Sequence, residues 1–214
     1  MPLVHSENIT DACRLLIWRL TETEEVLREM LPASADFGEL STISHPQKKR
    51  EWMAGRIVLA HIVAEAGEVF KGTWKDQHGK PFLVESEQHV SITHTLDYVA
   101  AVLHPTLAVG IDMEKKIDKL LRTARKYLNE SELFEAQNSL SKLCMYWCGK
   151  EALFKLNGRN KVSFKDNINL ESFTEESNLM QGTLHDSGRT LKASLHIQWL
   201  GEYCLVVAIE KDVY

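Results

Sequence analysis

The sequence predicts an α+β protein made of two similar halves, a pseudo-dimer in which each half packs a long helix on an antiparallel sheet. Two long helical patterns each lie among short strand-like segments, which is typical of α+β folds. Trp-Met-Ala-Gly-Arg at residues 52–56 of the first helix has a counterpart in Trp-Cys-Gly-Lys at residues 147–150 of the second. The strand at residues 97–103 likewise resembles the one at residues 202–209, and both begin with an acidic residue followed by tyrosine.

Length and composition agree with two halves. The chain has 214 residues, enough for two compact halves of about a hundred residues each. We expect residues 1–105 to form the N-terminal half and residues 106–214 the C-terminal half, with an active site in the cleft between them. No low-complexity linker marks this boundary.

Charge and hydropathy exclude several classes of protein. The net charge of −5 disfavours a protein whose surface binds nucleic acid. No apolar run approaches the roughly 20 residues that span a bilayer, and the N-terminus lacks a signal-peptide pattern, so we expect a cytoplasmic protein without a membrane segment.

Four cysteines are present, and none of them forms a Cys-x-x-Cys pair. Cys144 and Cys148 lie one helical turn apart, a spacing that can hold a metal. No histidine or further cysteine lies near them in the sequence, so free thiols in a reducing cytoplasm are the favoured interpretation.

The first half begins with a predicted strand at residues 14–20. Thr21 and Glu24 form a capping-box pattern before a short helix that ends near Pro32, and residues 33–45 are predicted to be a loop.

A long helix is predicted from Pro46 to Gly67, because proline is favoured at the first helical position. Met53, Ile57, Ala60 and Val63 recur at helical spacing and should face the core. The strand-like segments that follow it are residues 69–75, 80–84, 89–94, 98–103 and 107–114.

The second half returns to helix after about Ile117. Asn129 is the predicted cap of a short helix, and a longer helix ends at Gly158. Four strand-like segments close the chain, at residues 162–170, 179–186, 191–200 and 202–210.

Two carboxylates lie at the end of an apolar strand. Residues two apart in a strand point to the same side, so Asp112 and Glu114 present their carboxylates together. Such like charges repel unless a cation lies between them, and a hard divalent cation with oxygen ligands is the natural partner. The alternative is an ordinary solvated strand end.

The second long helix carries a further acid and base. Glu151 and Lys155 are four apart and share a helix face. A simple surface pair is the alternative, but the neighbouring Trp147 and Phe154 are large and apolar. Gly149 costs about 1 kcal/mol relative to alanine inside a helix, which suggests that another chain segment or a ligand approaches closely there.

In their order along the chain these segments resemble the 4′-phosphopantetheinyl transferase superfamily, specifically its large single-chain type. The signature of the family is Gly-Ile/Val-Asp-x-Glu, followed several tens of residues later by Trp-Ser/Ala/Cys-x-Lys-Glu-Ser/Ala with a lysine one turn on. Upstream motifs also match. The matching segments here are residues 110–114, 147–152 with Lys155, 79–81, 92–94 and 54–56.

The resemblance implies a magnesium site and a phosphoryl-transfer reaction. Asp112, Glu114 and Glu151 would hold the ion, and Lys155 would face the phosphates of coenzyme A. Glu151, or a water beside Glu114, would take the proton from the serine of an acyl or peptidyl carrier protein. The reaction would give the holo carrier protein and 3′,5′-ADP.

The resemblance also assigns the residues that bind coenzyme A. Arg56 and His94 would contact its phosphates, above all the 3′-phosphate, and Lys80 and Thr93 would line the same nucleotide cleft. With both halves in one chain, the enzyme would act as a monomer. The alternatives are another magnesium-dependent phosphoesterase, such as a phosphohydrolase or nuclease, and a non-catalytic module that binds coenzyme A or a carrier protein.

A basic segment directly follows the strand with the two carboxylates. If residues 118–128 form one helix, Lys119, Arg122 and Lys126 lie three and four apart and make one stripe. The protein as a whole is acidic, so a concentrated basic face is notable. We expect an acidic carrier protein to dock near it, although a solvated helix face is the simpler alternative.

Overall fold

Two structural units divide the chain in the computed structural model, which describes residues 3–158 and 161–211. The first unit runs to Gln77 and includes Pro81–Thr106, while the second comprises His78–Lys80 and the chain from Leu107 onward. Each unit has its own antiparallel sheet, long helix and apolar core, which confirms the predicted α+β class.

The first unit has a four-stranded sheet in the order β1-β2-β6-β5, covered by its longest helix, α3. A separate two-stranded hairpin, β3-β4, joins the helix to the sheet. The elements of this unit are β1 (Leu3–Asn8), β2 (Arg14–Arg19), α1 (Glu24–Met30), α2 (Phe37–Thr42), α3 (Pro46–Glu65), β3 (Thr73–Lys75), β4 (Pro81–Leu83), β5 (His89–His94) and β6 (Tyr98–His104).

The helix α3 begins with Pro46 at its first position, as predicted. Met53, Ile57 and Val63 are buried against the sheet, whereas Ala60 is only half-buried. Apolar residues on its other faces are buried as well, because α1 and α2 pack against the outer side of this helix.

The second unit has a five-stranded antiparallel sheet in the order β7-β11-β10-β9-β8, covered by the helix α6. Its elements are β7 (Val109–Lys115), α4 (Lys119–Thr123), a 3₁₀ turn (Ala124–Lys126), α5 (Glu130–Ala136), α6 (Leu140–Leu156), β8 (Ile168–Leu170), β9 (Leu179–Asp186), β10 (Arg189–Leu200) and β11 (Tyr203–Glu210). Within the described part of the chain, no helix has the length and apolarity needed to cross a bilayer.

The two units repeat one topology with the same register. In each unit one strand, β2 or β7, precedes the long helix. The last strand of a later hairpin, β6 or β11, pairs with it. Arg19 lies opposite Tyr98 in the first unit, and Lys115 lies opposite Tyr203 in the second. By this register the buried Leu16 and Trp18 of β2 occupy the positions that Asp112 and Glu114 occupy in β7. The paired carboxylates are therefore a feature of the second unit.

Some local predictions for the first unit were wrong. The helix α1 begins after Thr23, whose hydroxyl accepts from the backbone N–H of Val26, so the cap is not Thr21. The predicted loop at residues 33–45 contains α2, which begins after Asp36 because the Asp36 carboxylate accepts from two backbone N–H groups. The strand β1 was missed.

The basic segment of the second unit also differs from its prediction. One continuous helix over residues 118–128 does not form, since α4 ends at Thr123 and a 3₁₀ turn follows. The predicted cap at Asn129 is confirmed as a complete capping box with Glu132. Only Ile168–Leu170 of the predicted strand at residues 162–170 is extended and paired.

A single glycine allows α6 to lie directly on β7. A Cβ atom at Gly110 would overlap the carbonyl oxygen of Ala152 and lie 2.7 Å from the backbone nitrogen of Leu156. Both neighbours are helix backbone, which cannot move aside as a flexible side chain can. The absence of a side chain at Gly110 therefore sets the distance between the strand and the helix.

We predict that Gly110→Ala lowers the free energy of unfolding by at least about 3 kcal/mol, because overpacking against backbone has no cheap relaxation. Gly55→Ala is the matched control. Its new Cβ would meet only the end of the Ile92 side chain, at 2.9 Å, and it gains helix propensity. Urea unfolding measures both, and equal effects of the two substitutions would contradict this account.

Candidate active site

The candidate site lies where β7 faces α6. Side chains alternate along a strand, and the side of β7 that carries Gly110 faces the helix. Asp112 and Glu114 share that side and so point toward α6. The sequence-based expectation that the two carboxylates lie side by side is consistent with this arrangement.

Asp112 is held by a lysine from the helix. Lys155 Nζ lies 2.7 Å from Asp112 Oδ1 and also donates to the carbonyl oxygen of Ile111, at 2.9 Å. The Asp112 side chain is only 7% exposed and that of Lys155 12%, so the pair is shielded from solvent. The positive charge that the two acidic residues require is therefore supplied, in part, by the protein itself.

Glu114 lies two residues beyond Asp112 on β7, beside Trp147 of α6. Its carboxylate interacts with the Trp147 side chain, which favours the ionised form. Loss of hydration raises the pKa of Glu114 to about 7, and the Asp112 carboxylate adds to the increase, while Lys155 and Trp147 oppose it. The site thus contains more negative charge than its one lysine compensates.

Glu151 lies on α6 between these two contacts. It is four residues from both Trp147 and Lys155, so the three share one face of the helix. Glu151 therefore lies on the helix face that meets the strand carrying Asp112 and Glu114. The oxygens of these three carboxylates do not all lie within 4.8 Å of one another in the described part of the chain.

This donor set fits a magnesium ion. Magnesium prefers carboxylate oxygens, keeps several waters and takes up phosphate oxygens of its substrate, so it does not require a closed cage of protein ligands. The raised pKa of Glu114 marks negative charge that a divalent cation would neutralise.

Lys150 belongs to the matched motif, but it points away from this site. Its side chain is completely buried, and its ammonium donates to Glu132, at 2.7 Å, and to the carbonyl oxygens of Phe164 and Ile168. Burial lowers the pKa of Lys150, and the hydrogen bond and charge of Glu132 oppose that effect. Three acceptors outside α6 fix the rotation of this helix about its axis.

Glu132 was not singled out from the sequence. Its carboxylate caps α5, accepts from Lys150 and accepts from the backbone N–H of Leu170, at 3.2 Å. The capping-box pattern with Asn129 was the only sequence signal for it, and that pattern does not reveal the lysine.

Lys80 lies at the other end of α6. Its ammonium donates to the carbonyl oxygen of Leu156, at 2.8 Å, in the last turn of the helix. Cations are favoured at a helix C-terminus. This contact places Lys80 one residue beyond Lys155, on the same end of the helix.

Arg56 belongs to the first unit and is held by two contacts. Its guanidinium lies over the ring of Trp52, 4.3 Å from the centroid, and donates to Glu39 at 2.8 Å. Burial lowers the pKa of Arg56, and Glu39 opposes this. Arginine nevertheless stays charged, so the group is a fixed cation that can bind phosphate.

His94 and Thr93 end the strand β5 in the first unit. The imidazole Nδ1 of His94 lies 3.2 Å from a carboxylate oxygen of the buried Glu51, so Glu51 orients the ring. Half of the His94 side chain is exposed, whereas Thr93 is buried in the sheet.

A groove opens beside Glu114 and Trp147 in the second unit. Its volume is about 310 Å³. The floor is apolar and the rim is basic, with the lining residues Glu114, Lys115, Ile117, Lys119, Leu120, Thr123, Lys126, Tyr127 and Trp147. Lys119 and Lys126 of the predicted basic stripe line this groove, and Arg122 is exposed outside it.

Comparison with known proteins shows a similarity over most of the second unit. Residues 108–208 match the model of the 4′-phosphopantetheinyl transferase superfamily. This match contains both β7 and α6 and therefore the whole carboxylate–lysine arrangement. The similarity covers the unit that carries the candidate site and slightly less than half of the whole chain.

A curated relative supports the same family. The chain is similar to a phosphopantetheinyl transferase from Thraustochytrium sp., with 27% identity over 185 aligned residues. The alignment covers 74% of this chain and 63% of the relative, so the chain spans less than two thirds of that protein's length.

We predict that Glu114→Gln stabilises the metal-free protein increasingly as the pH rises from about 4.5 to about 7. The pKa of Glu114 is raised in the folded state, so folding favours its protonated form. The wild type therefore loses stability as this carboxyl ionises, whereas glutamine does not ionise. Urea unfolding in the presence of a chelator, repeated over this pH range, measures the difference, and a difference that is constant with pH would contradict the raised pKa.

We predict that Glu132→Gln costs about 3–5 kcal/mol of unfolding free energy, because it leaves the buried Lys150 charge without its carboxylate. Adding Lys150→Met should recover a large part of this loss. The matched control is Glu85→Gln, which breaks an exposed pair with Lys71 and should leave the urea midpoint unchanged. Equal effects in the buried and exposed pairs would show that Glu132 does not hold the helix.

Proposed function

We propose that this protein transfers the 4′-phosphopantetheine group of coenzyme A to a serine of an apo acyl or peptidyl carrier protein, giving the holo carrier protein and 3′,5′-ADP. The observation that carries the proposal is the arrangement of Asp112, Glu114, Glu151 and Lys155 across the β7–α6 contact. It lies inside the region that matches the superfamily.

The reaction breaks one phosphorus–oxygen bond and forms another. The serine oxygen attacks the phosphorus that carries pantetheine, the serine proton leaves, and the bond to the 3′,5′-ADP oxygen breaks. Phosphoryl transfer depends mainly on positioning and charge stabilisation, for which this set of groups is suited.

Asp112, Glu114 and Glu151 would hold the magnesium ion. When bound, this ion would neutralise and orient the pyrophosphate of coenzyme A. Lys155 would move from Asp112 to a phosphate oxygen and stabilise the charge that develops on the leaving group. The proton acceptor would be Glu151 or a water beside Glu114, because the resemblance favours these two groups and both belong to the β7–α6 contact.

Four residues outside this set would bind the nucleotide part of coenzyme A. Arg56 and His94 offer donors to its phosphates, and the resemblance favours the 3′-phosphate for both. Lys80 and Thr93 complete the proposed set. Lys80 is supported by its position at the end of α6 next to Lys155.

The subtype and the state of the enzyme are further parts of the proposal. Both units belong to one chain and repeat one topology, so we infer the large single-chain type, acting as a monomer. The four free cysteines and the use of coenzyme A favour a cytoplasmic site of action.

The groove beside Glu114 is the proposed docking site for the carrier protein. Its basic rim suits an acidic partner. Its apolar floor reaches Glu114 and Trp147, beside the group that would accept the serine proton. Of the three basic residues in the predicted stripe, Lys119 and Lys126 line the groove and are the proposed contacts with the carrier protein. Arg122 lies outside the groove.

Mass spectrometry of an apo carrier protein tests the proposed activity. The carrier protein is incubated with the purified chain, coenzyme A and magnesium. Gain of one phosphopantetheine group and release of 3′,5′-ADP support the transfer. Hydrolysis of coenzyme A without modification of the carrier would favour a magnesium-dependent phosphoesterase, and binding without reaction would favour a non-catalytic module.

We predict that Asp112→Asn lowers the transfer rate by at least about a hundredfold, because the substitution removes one charge from the proposed metal site while keeping an acceptor for Lys155. The fold should persist, since the side chain keeps its shape. The rate is measured by the mass assay over a series of magnesium concentrations. A rate near that of the wild type would exclude Asp112 as a metal ligand.

We predict that Lys119→Glu combined with Lys126→Glu raises the apparent KM for the carrier protein and reduces its dependence on salt, because rim charges steer association. The KM for coenzyme A should change little. The matched control is Lys165→Glu with Lys192→Glu, two exposed residues of the same unit outside the groove with the same change of charge. Equal effects of the two double variants would exclude docking at the groove and would leave the proposed transfer reaction intact.

A further inference from the structure

Three cysteine side chains meet in the core of the second unit. Cys144 and Cys148 lie one turn apart on α6, and Cys204 is the second residue of β11, the strand on which this helix packs. All three are completely buried, and their sulfur atoms lie within 4.8 Å of one another. In the part of the chain that the structure describes, this is the one group of three possible soft-metal ligands.

Two of the thiols also contact backbone carbonyl oxygens of the neighbouring strands. Cys148 Sγ lies 3.4 Å from the carbonyl oxygen of Cys204, and Cys144 Sγ lies 3.6 Å from the carbonyl oxygen of Glu114. The cluster lies in the apolar core formed by α6 and the sheet, and the carboxylates of Asp112 and Glu114 are near enough to interact with Cys144. All three cysteines therefore lie on rigid elements, which is a favourable arrangement for a binding site.

We propose that this thiol cluster is a binding site for one trivalent thiophilic centre, such as arsenic(III) supplied as arsenous acid. The three thiols condense with As(OH)₃, so three arsenic–sulfur bonds form, three arsenic–oxygen bonds break and three waters leave. No oxidation or reduction takes place. A metal–sulfur bond is about 2.3 Å long in zinc thiolates, and three such bonds to one centre hold the sulfur atoms less than about 4 Å apart. Small side-chain rotations can bring the three sulfur atoms from their present distances to this separation.

The charge of the product selects a trivalent centre over copper(I) or zinc. Three thiolates around a monovalent or divalent ion carry a net negative charge, and a buried charge without a partner is strongly disfavoured. Three thiolates on arsenic(III) form a neutral product. Zinc in addition favours a fourth ligand, and the cluster provides three.

The sequence alone did not indicate this site. Cys144 and Cys148 have the spacing of a ligand pair, but Cys204 lies 56 residues beyond Cys148 and joins them only through the packing of α6 on β11. Binding would cross-link this helix to the sheet. Because the loop between them is long, the cross-link should raise the melting temperature of the protein.

Intact-protein mass spectrometry under native conditions tests the proposal. The reduced full-length chain is incubated with sodium arsenite. We expect a single adduct that has gained one arsenic and lost three hydrogens, together with a higher melting temperature. The buried position requires local opening, so the adduct should form slowly. Absence of an adduct on the folded chain, or an adduct that keeps a hydroxyl group on arsenic and therefore uses two thiols, would overturn the proposal.

Substitutions and thiol mapping identify the residues. Cys148→Ala and Cys204→Ala should lose the three-thiol adduct, whereas Cys13→Ala should keep it, because Cys13 is an equally buried cysteine of the first unit. Circular dichroism checks that each variant is folded.

A measurement on the wild type needs no variant. After arsenite treatment the chain is denatured and alkylated, and peptide mapping should show Cys13 alkylated and the other three cysteines protected. Protection of Cys13, or alkylation of any cluster cysteine to the level of untreated protein, would contradict the assignment.

Discussion

The close approach of α6 to β7 at Gly110 is the constraint on which the site depends. With no side chain between strand and helix backbone, the next residues on the same side of β7 meet the helix face that carries Trp147, Glu151 and Lys155. The buried Lys150 donates three hydrogen bonds to Glu132, Phe164 and Ile168, and these contacts fix the rotation of α6 about its axis. Together these contacts convert a strand and a helix that are far apart in sequence into one acidic site with its own lysine.

The repeat of one topology in both units shows that equivalent strands can carry either two buried apolar side chains or two carboxylates. The registers of β2 and β7 are equivalent, but β2 has leucine and tryptophan where β7 has Asp112 and Glu114. Buried apolar side chains stabilise the first unit at those positions. The same positions in the second unit hold the buried Asp112 and the exposed Glu114, and partial loss of hydration together with the Asp112 charge raises the pKa of Glu114. Functional sites commonly carry this kind of local cost.

Periodicity in the sequence predicted the long helices and most strands, because their burial patterns repeat locally. It also placed Asp112 with Glu114 and Glu151 with Lys155. Features set by distant partners were not predictable in this way. The ion pair between Lys155 and Asp112, the burial of Lys150 and the approach of Cys204 to two helix cysteines all depend on tertiary packing. Other errors concern the ends of helices, such as the cap at Thr23 and the end of α4 at Thr123. Neighbouring residues can begin or end a helix almost equally well, so the sequence does not fix these boundaries.

In the proposed function, the β7–α6 contact forms one magnesium site, and Lys155 moves from the Asp112 carboxylate to a phosphate of coenzyme A. A crystal structure of the wild-type chain with magnesium and coenzyme A tests this claim most directly. We expect one metal ion bound to oxygens of Asp112, Glu114 and Glu151, and a hydrogen bond from the Lys155 ammonium to a phosphate oxygen of coenzyme A. A metal ion bound elsewhere, or coenzyme A bound while Lys155 still contacts Asp112 alone, would contradict it.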